Sequence, residues 1–333
     1  MEKMNGFKRF IMALAITGIM WYGFAGSGNA AGKGVFKVAY VSVAPFEDGG
    51  WGSNCYKGFK DSAAKFKNIK TFTIENVATG NIVSTIKKYC DAGVNLVISP
   101  DTNVSDAYAQ LSKKYPKIDF AAIDGSYVGP NVMSMSQNNA EIGFVAGVIS
   151  ALQTKTHSIG FVGGEESAEI LKASKTMEAG AKYINKDIRY TSVMSGSWTD
   201  VAKGKEIGLS MISAKNADVI FSFASGVDSG VRQACESAKA VYFIAQPSEA
   251  LAVSPKATIT SIIQSNEMLI YAAMKAAYEG TFKGGYVVKG FESGGSCSVG
   301  KYNGIFSAKD RAIVSDVIAK ITSGKINVKS YTN

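Results

Sequence analysis

From Phe36 onward, short apolar runs alternate with longer stretches whose apolar residues recur every three or four positions. The runs "FKVAYVSV" (36–43), "KTFTIENV" (70–77), "NLVIS" (95–99) and "DFAAID" (119–124) have the length and composition of strands. Helices over about 53–66, 81–93 and 104–115 separate them, the second closed by Gly93. Strands alternating with helices at this spacing predict βαβ units and a parallel sheet.

The rhythm then restarts. "EIGFVAGVISALQT" sets Ile142, Val145, Ala146, Ile149 and Leu152 on one helical stripe. Strands over 158–164, 189–195, 218–224 and 241–246 follow, with helices over about 168–184, 200–214 and 228–238 between them. The tail adds a strand over 258–265, a helix over about 267–279 and a strand over 285–291. A last helix carries Ile313, Val314, Val317, Ile318 and Ile321 at core spacing and is closed by Gly324. Two consecutive sets of βαβ units predict two similar α/β lobes. No low-complexity segment divides them, so short hinges are expected.

Ahead of this pattern the chain reads differently. Lys3, Lys8 and Arg9 precede an apolar run, Phe10 to Phe24, and then "AGSGNAAG". A basic start, an apolar middle and a small-residue end are the parts of a secretory signal peptide, with cleavage expected after Ala30. The alternative is a retained membrane anchor, but the run is short of the ~20 residues a spanning helix needs. No cysteine lies near the cut, so a lipid anchor is not expected, and the protein is placed in a periplasm or outside the cell.

Of the 333 residues, about 300 therefore remain to fold, which favours two domains over one core. The net charge of +9 falls to +7 once the leader's three basic residues and Glu2 are removed. The lysines are scattered along helix faces, which describes a solvated basic surface and no nucleic-acid site. Cys55, Cys90, Cys235 and Cys297 have no metal-ligand or redox spacing. Buried free thiols are expected, although export permits one or two bridges.

Much chemistry is excluded. A single histidine, His157 in "KTHS", has no Cys/His/Asp cluster beside it, so neither a zinc site nor any other metal is expected. No Gly-x-Ser-x-Gly elbow supplies a nucleophile for it. No phosphate loop is present, and "FVGGEES" lacks the third glycine of the dinucleotide fingerprint. The glycine-rich turn after the first strand, "FEDGGWGSN" (46–54), carries Glu47 and Asp48, which oppose an anion. Neither an enzyme nor a cofactor is expected; a neutral or weakly basic ligand fits the turn.

What remains is a binding constellation. Beyond the leader the chain has two tryptophans, Trp51 and Trp198, each just past the carboxyl end of a strand, where open parallel sheets bind ligands. A tryptophan from each lobe can sandwich a flat ring; the alternative is that each packs a hinge or the rim. Other strand ends add Ser99, Asp101 and Asn103 ("SPDTN"), Asp124 ("AIDGS"), Phe223 and Ser225 ("SFASG"), and Gln246, Ser248 and Glu249 ("AQPSE"). Taken singly these are turn formers and caps. Together they describe a hydrogen-bonding cleft without a catalytic dyad, in a protein that closes by hinge motion.

At these residues the sequence resembles the basic membrane protein family, the substrate-binding proteins of ABC transporters that carry purine nucleosides. The segments that carry the resemblance are "FAAIDG", "IGFVAGVISALQTKTHSIGFVGG", "MEAGAKYINKDI", "GSWTDVAKGKEIGLSMISAKNADVIF" and "GTFKGG". It implies a type I periplasmic-binding fold, with two Rossmann-like lobes and parallel sheets joined by three crossovers near Gln137, Gln264 and Phe291. Lobe one would be 35–136 with 265–291, and lobe two 137–264 with 292–333, after the signal peptide of 1–30. The family's first turn reads Asp-Asp-Lys-Ser-Phe-Asn where "EDGGWG" stands: Asp48 matches the second aspartate and Trp51 the stacking aromatic, while Gly52 replaces the asparagine that contacts the base. Glu249 or Pro247, and Gln264, stand nearest the aspartate and lysine that hold ribose hydroxyls, so the lysine is lost. "DGGW" and "QPSE" look like a branch that takes free nucleobases or other small ligands. Phe221 or Phe223 is offered as a stacking face beside Trp198. The expectation is a monomeric binding protein that delivers a purine nucleoside or base to a permease. A sensory ligand-binding protein for another planar or polar solute is the alternative; an adhesion protein and a nucleoside hydrolase rank behind it.

Overall fold

A computed structural model describes residues 34–292 and 294–332. The expected signal peptide lies outside the described residues. The chain opens with β1 (Phe36–Val41), α1 (Trp51–Ala63), β2 (Ile69–Ile74), α2 (Ile82–Asp91), β3 (Leu96–Ser99), α3 (Ser105–Lys114), β4 (Asp119–Ile123) and β5 (Val132–Gln137). It continues through α4 (Asn139–Gln153), β6 (Ser158–Gly163), α5 (Ala168–Ile184), β7 (Arg189–Met194), α6 (Val201–Lys215), β8 (Val219–Phe223), α7 (Gly226–Ser237), β9 (Tyr242–Ala245) and β10 (Thr258–Gln264). It ends with α8 (Asn266–Tyr278), β11 (Gly285–Lys289), β12 (Cys297–Val299) and α9 (Ala308–Thr322).

Two six-stranded sheets result, ordered β11-β5-β4-β3-β1-β2 and β12-β10-β9-β8-β6-β7. Every pairing is parallel except β12 against β10. Each sheet is covered by helices on both faces, which is why its central strands are apolar throughout instead of alternating. The chain changes sheet three times: after β5, after β10, and between β11 and β12.

Two strands escape the hydrophobic pattern. β5, "VMSMSQ", places serine at alternate positions yet is buried almost throughout, its Ser134 hydroxyl donating to the Gly125 carbonyl at 2.5 Å. β12 has three residues, too few for a periodicity. The helix α4 also departs from expectation: instead of one apolar stripe it is buried nearly all round. The cause is its pairing with α5, in which Gly143 and Gly147 of α4 and Gly180 of α5 bring the backbones together. A Cβ on any of the three would enter the carbonyl of Ala173, Met177 or Phe144 respectively. Gly204 and Gly230 do the same between α6 and α7. Among the described residues no helix is long and apolar enough to cross a membrane. All four cysteines are buried and free, as expected.

Candidate functional site

The first turn folds around Asp48. Its carboxylate accepts N–H bonds from Gly50 (2.8 Å), Gly52 (2.9 Å) and Ser53 (2.9 Å), so it caps the amino end of α1 and its oxygens are engaged within the loop. Gly49 takes a left-handed φ of +70°, the conformation that favours glycine. Gly52 is required by contact: a Cβ there would enter the Pro45 carbonyl, so no asparagine fits on this backbone. Trp51 is half-buried, and its indole N–H donates to the Pro100 carbonyl beyond β3 at 3.2 Å. That bond pins the ring across the carboxyl edge of the first sheet.

The second lobe approaches this turn directly. The Ser225 hydroxyl, at the start of α7, accepts from the Trp51 backbone N–H at 3.4 Å and donates to Asp48 Oδ2 at 3.5 Å. A Cβ on Gly50 would fall 2.7 Å from that hydroxyl oxygen. Asn54 of α1 donates to Ser248 beyond β9 at 3.0 Å. The carboxyl edges of the two sheets therefore face each other. Trp198, beyond β7, is 36% exposed, with its indole against Gly164 at the end of β6. Its carbonyl accepts from Gly226 N–H beside Ser225 at 2.9 Å. Phe223 is 9% exposed at the end of β8. Phe221 corrects the expectation of a second stacking face: it is wholly buried, with Phe161 at 6.0 Å between ring centroids, and cannot touch a ligand.

The acidic and amide residues divide into two groups. In the first, Glu249 has both oxygens occupied and Asp101 has Oδ2 occupied. Asp101 accepts from Val43 N–H at 2.8 Å and Ser99 at 3.3 Å, which ties β1 to β3; burial raises its pKa, against those hydrogen bonds. Glu249 accepts from Leu251 N–H, the Ser261 hydroxyl and Lys301 N–H at 2.8–3.0 Å. Burial pushes Glu249 up, but these donors together outweigh it and hold the carboxyl below its ordinary range.

The second group has capacity to spare. Among the described residues, Tyr40 Oη, Asp124 Oδ1 and Gln264 Oε1 are buried without a hydrogen-bond partner; the two others, Ser254 and Thr258, lie at the amino end of β10. Leaving such a group unpaired costs about 1–3 kcal/mol. Asp124 takes a left-handed φ of +55°, and burial, with the Glu169 carboxylate adding and Lys172 opposing, pushes it up to about 7. Gln264 Nε2 donates to Gln246 Oε1 at 2.8 Å, and Gln246 Nε2 donates to Asp228 Oδ2 at 2.6 Å. Asn266, just past Gln264, donates to Asn54 at 2.8 Å and accepts from Gln137 at 2.5 Å, which joins two of the three sheet crossings to α1.

Asp228, Asn266, Asn54 and Tyr40 are absent from the sequence reading. Asp228 had a signal, an acid in the first turn of a helix after a strand; the others have none, because their partners are remote in sequence. A cavity of about 420 Å³ lies elsewhere, at the amino ends of β6, β8 and β9. Its buried carboxylate, Asp218, is already engaged by the Thr154 hydroxyl and by Lys155 and Thr156 N–H, so the strand-end cleft is the stronger site. His157 is exposed, and among the described residues no cluster of His, Cys, Asp and Glu can hold a metal ion. The cleft can stack and hydrogen-bond a solute, and it presents mainly acceptors.

Comparison with known proteins agrees with this geometry. The sequence profile of the family described as ABC transporter substrate-binding protein PnrA-like matches residues 35–328. The "ABC transporter nucleoside-binding protein BmpA" of Lactococcus lactis is 30% identical over 255 residues, 72% of this chain and 72% of that one. The "Purine-binding protein BAB2_0673" of Brucella abortus is 23% identical over 309 residues, 92% of this chain and 86% of that one. A solute-binding protein of an ABC transporter system from Aeropyrum pernix superposes with a TM-score of 0.77 at 17% identity, over 88% of this chain and 92% of that chain.

Proposed function

Because this chain belongs to the PnrA-like family of ABC transporter substrate-binding proteins, we propose that its cleft captures a purine base or nucleoside and delivers it to a permease. The observation that carries the reading is the set of buried, unpartnered acceptors at the facing strand edges, Asp124 Oδ1 and Gln264 Oε1, beside the pinned indole of Trp51. A flat heterocycle with N–H donors on its rim answers both features. Trp51 supplies a stacking face, with Trp198 and Phe223 opposite on the second lobe, and stacking adds about 0.5–1.5 kcal/mol beyond area burial. The Brucella relative is named for binding purines and the Lactococcus relative for binding nucleosides, which supports a base or nucleoside ligand. Free bases are favoured over nucleosides, since Gln264 stands where the family's ribose-holding lysine would be.

The lobes, divided at Gln137, Gln264 and Phe291, close about these crossings on the ligand. In this reading the mature protein is a monomer that works outside the cytoplasm after signal-peptide removal, without a lipid anchor. The test is a thermal-shift screen of leaderless protein, unfolded and refolded to remove bound ligand, against purine and pyrimidine bases, nucleosides, amino acids and sugars. A purine at a hundred times its Kd adds about 2.7 kcal/mol. A response to sugars or amino acids alone overturns the purine reading and leaves the transport role.

A further inference from the structure

The three polar side chains at the carboxyl edge of the second sheet stand in a row across adjacent strands. Asp228 follows β8, Gln246 follows β9 and Gln264 ends β10. Asp228 Oδ1 accepts from Ala224 N–H at 2.8 Å and from the Ser222 hydroxyl at 2.5 Å. A backbone N–H cannot be turned round, so Oδ1 is fixed as an acceptor, and the sense of the row is set at Oδ2, toward Gln246. Burial pushes Asp228 up to about 7 against the bonds from Ser222, Ala224 and Gln246; above that pH the ionised carboxylate is acceptor-only, and Gln246 then offers it Nε2. Gln246 then has Oε1 left for its other neighbour, which compels Gln264 to supply Nε2 in turn. What Gln264 has left is Oε1, buried and unpartnered.

We infer that Asp228 is a positioning residue that sets the hydrogen-bond polarity of the cleft through two glutamine amides, so that Gln264 faces the ligand as an acceptor and selects a ligand N–H or O–H. The inference rests on the ligand-binding reading above and deepens it by naming the kind of group the ligand must present on this lobe. Asp228 touches no ligand; it acts only through Gln246 and Gln264. Asp228→Asn inverts the row. The asparagine keeps its oxygen on Ala224 and Ser222 and turns Nδ2 to Gln246; both amides then reverse, and Gln264 presents a donor.

The test measures, by calorimetry on the refolded protein well above pH 7, where Asp228 is ionised, the affinities of adenine, purine (no amino group), 9-methyladenine (no ring N–H) and hypoxanthine. In the wild type, one analogue that lacks a donor binds about tenfold or more weakly than its parent, the cost of an unmet buried acceptor. In Asp228→Asn and in Gln264→Met that gap closes, whereas a merely structural change would weaken parent and analogue alike. Equal gaps in all three proteins, each shown by thermal unfolding to be folded, overturn the inference. If no purine binds the wild type, the purine reading fails by itself, and side-chain amide NMR of the ligand-free protein decides the relay. Solvent exchange of the Gln264 Nε2 protons should be slow in the wild type and faster in Asp228→Asn, and unchanged exchange overturns it.

Discussion

Trp51 and Asp124 show how one side chain is made available and another is left in deficit. The Trp51 ring is held at one edge by the Pro100 carbonyl, so its orientation costs little at the moment of binding. Replacing Trp51 by Ala should weaken purine binding by about tenfold or more, while Phe should retain most of the affinity through stacking; calorimetry on both variants checks this. Asp124 carries its proton to about pH 7 in the folded protein, whereas an unfolded aspartate loses it near 3.9. The folded state thus binds more protons between these limits. The group's stabilising contribution is full below the unfolded pKa and is lost as pH rises through about 7. Asp124→Asn should lie closest to the wild type in Tm near pH 4, and its advantage should grow as pH rises toward about 7 and level off above it, all without ligand. The difference between variants is the readout, because groups with lowered pKa, such as Glu249, act with the opposite sign.

Among the elements, the helix pairs are the most sharply specified. At Gly180 an added methyl would meet the backbone of Phe144, and backbone yields less readily than a flexible side chain. Gly180→Ala should therefore destabilise the protein by about 1–3 kcal/mol despite the better helix propensity of alanine. Gly304→Ala, in a loop with nothing within 4 Å of the added atom, should shift the midpoint by far less. Urea unfolding of the two variants separates packing from backbone entropy. The same close approach explains why α4 looked one-sided in sequence: its glycines read as neutral positions, yet they are its most crowded face.

For the whole molecule, stability comes from four apolar clusters, one on each face of each sheet, and not from covalent links. The thiols lie inside these clusters, and burial pushes Cys90 up to about 11 and Cys235 and Cys297 up to about 12. Thiol reagents should leave the native protein almost unmodified and titrate four groups in denaturant. A reducing agent should leave Tm unchanged. The two lobes touch through short polar side chains, Ser225 with the Trp51 turn and Asn54 with Ser248, and such contacts separate readily on hinge opening. Ser248→Ala should lower ligand affinity by about threefold to tenfold with little change in ligand-free Tm, since it removes the bond between the lobes and leaves the Asn54–Asn266 bond in place.

The alternation of strands and helices, the two lobes, the strand ends that build the cleft and the lack of catalytic chemistry were all legible in the sequence, because they follow from periodicity and from which residue types occur. Trp51 was marked by its place after the first strand. Which polar groups remain free was decided only by tertiary structure. Asp48 and Glu249 looked as available as Asp124, yet both oxygens of each are met by backbone N–H and hydroxyl groups, while one buried oxygen of Asp124 is met by nothing. Phe221 looked as exposed as Phe223, yet it is wholly buried, while Phe223 at the strand's end, in the same core cluster, keeps 9% of its surface exposed. The row from Asp228 to Gln264 joins residues 18 positions apart at each step. A hydrogen bond depends on distance and direction in space, and neither is written in the local order of residues.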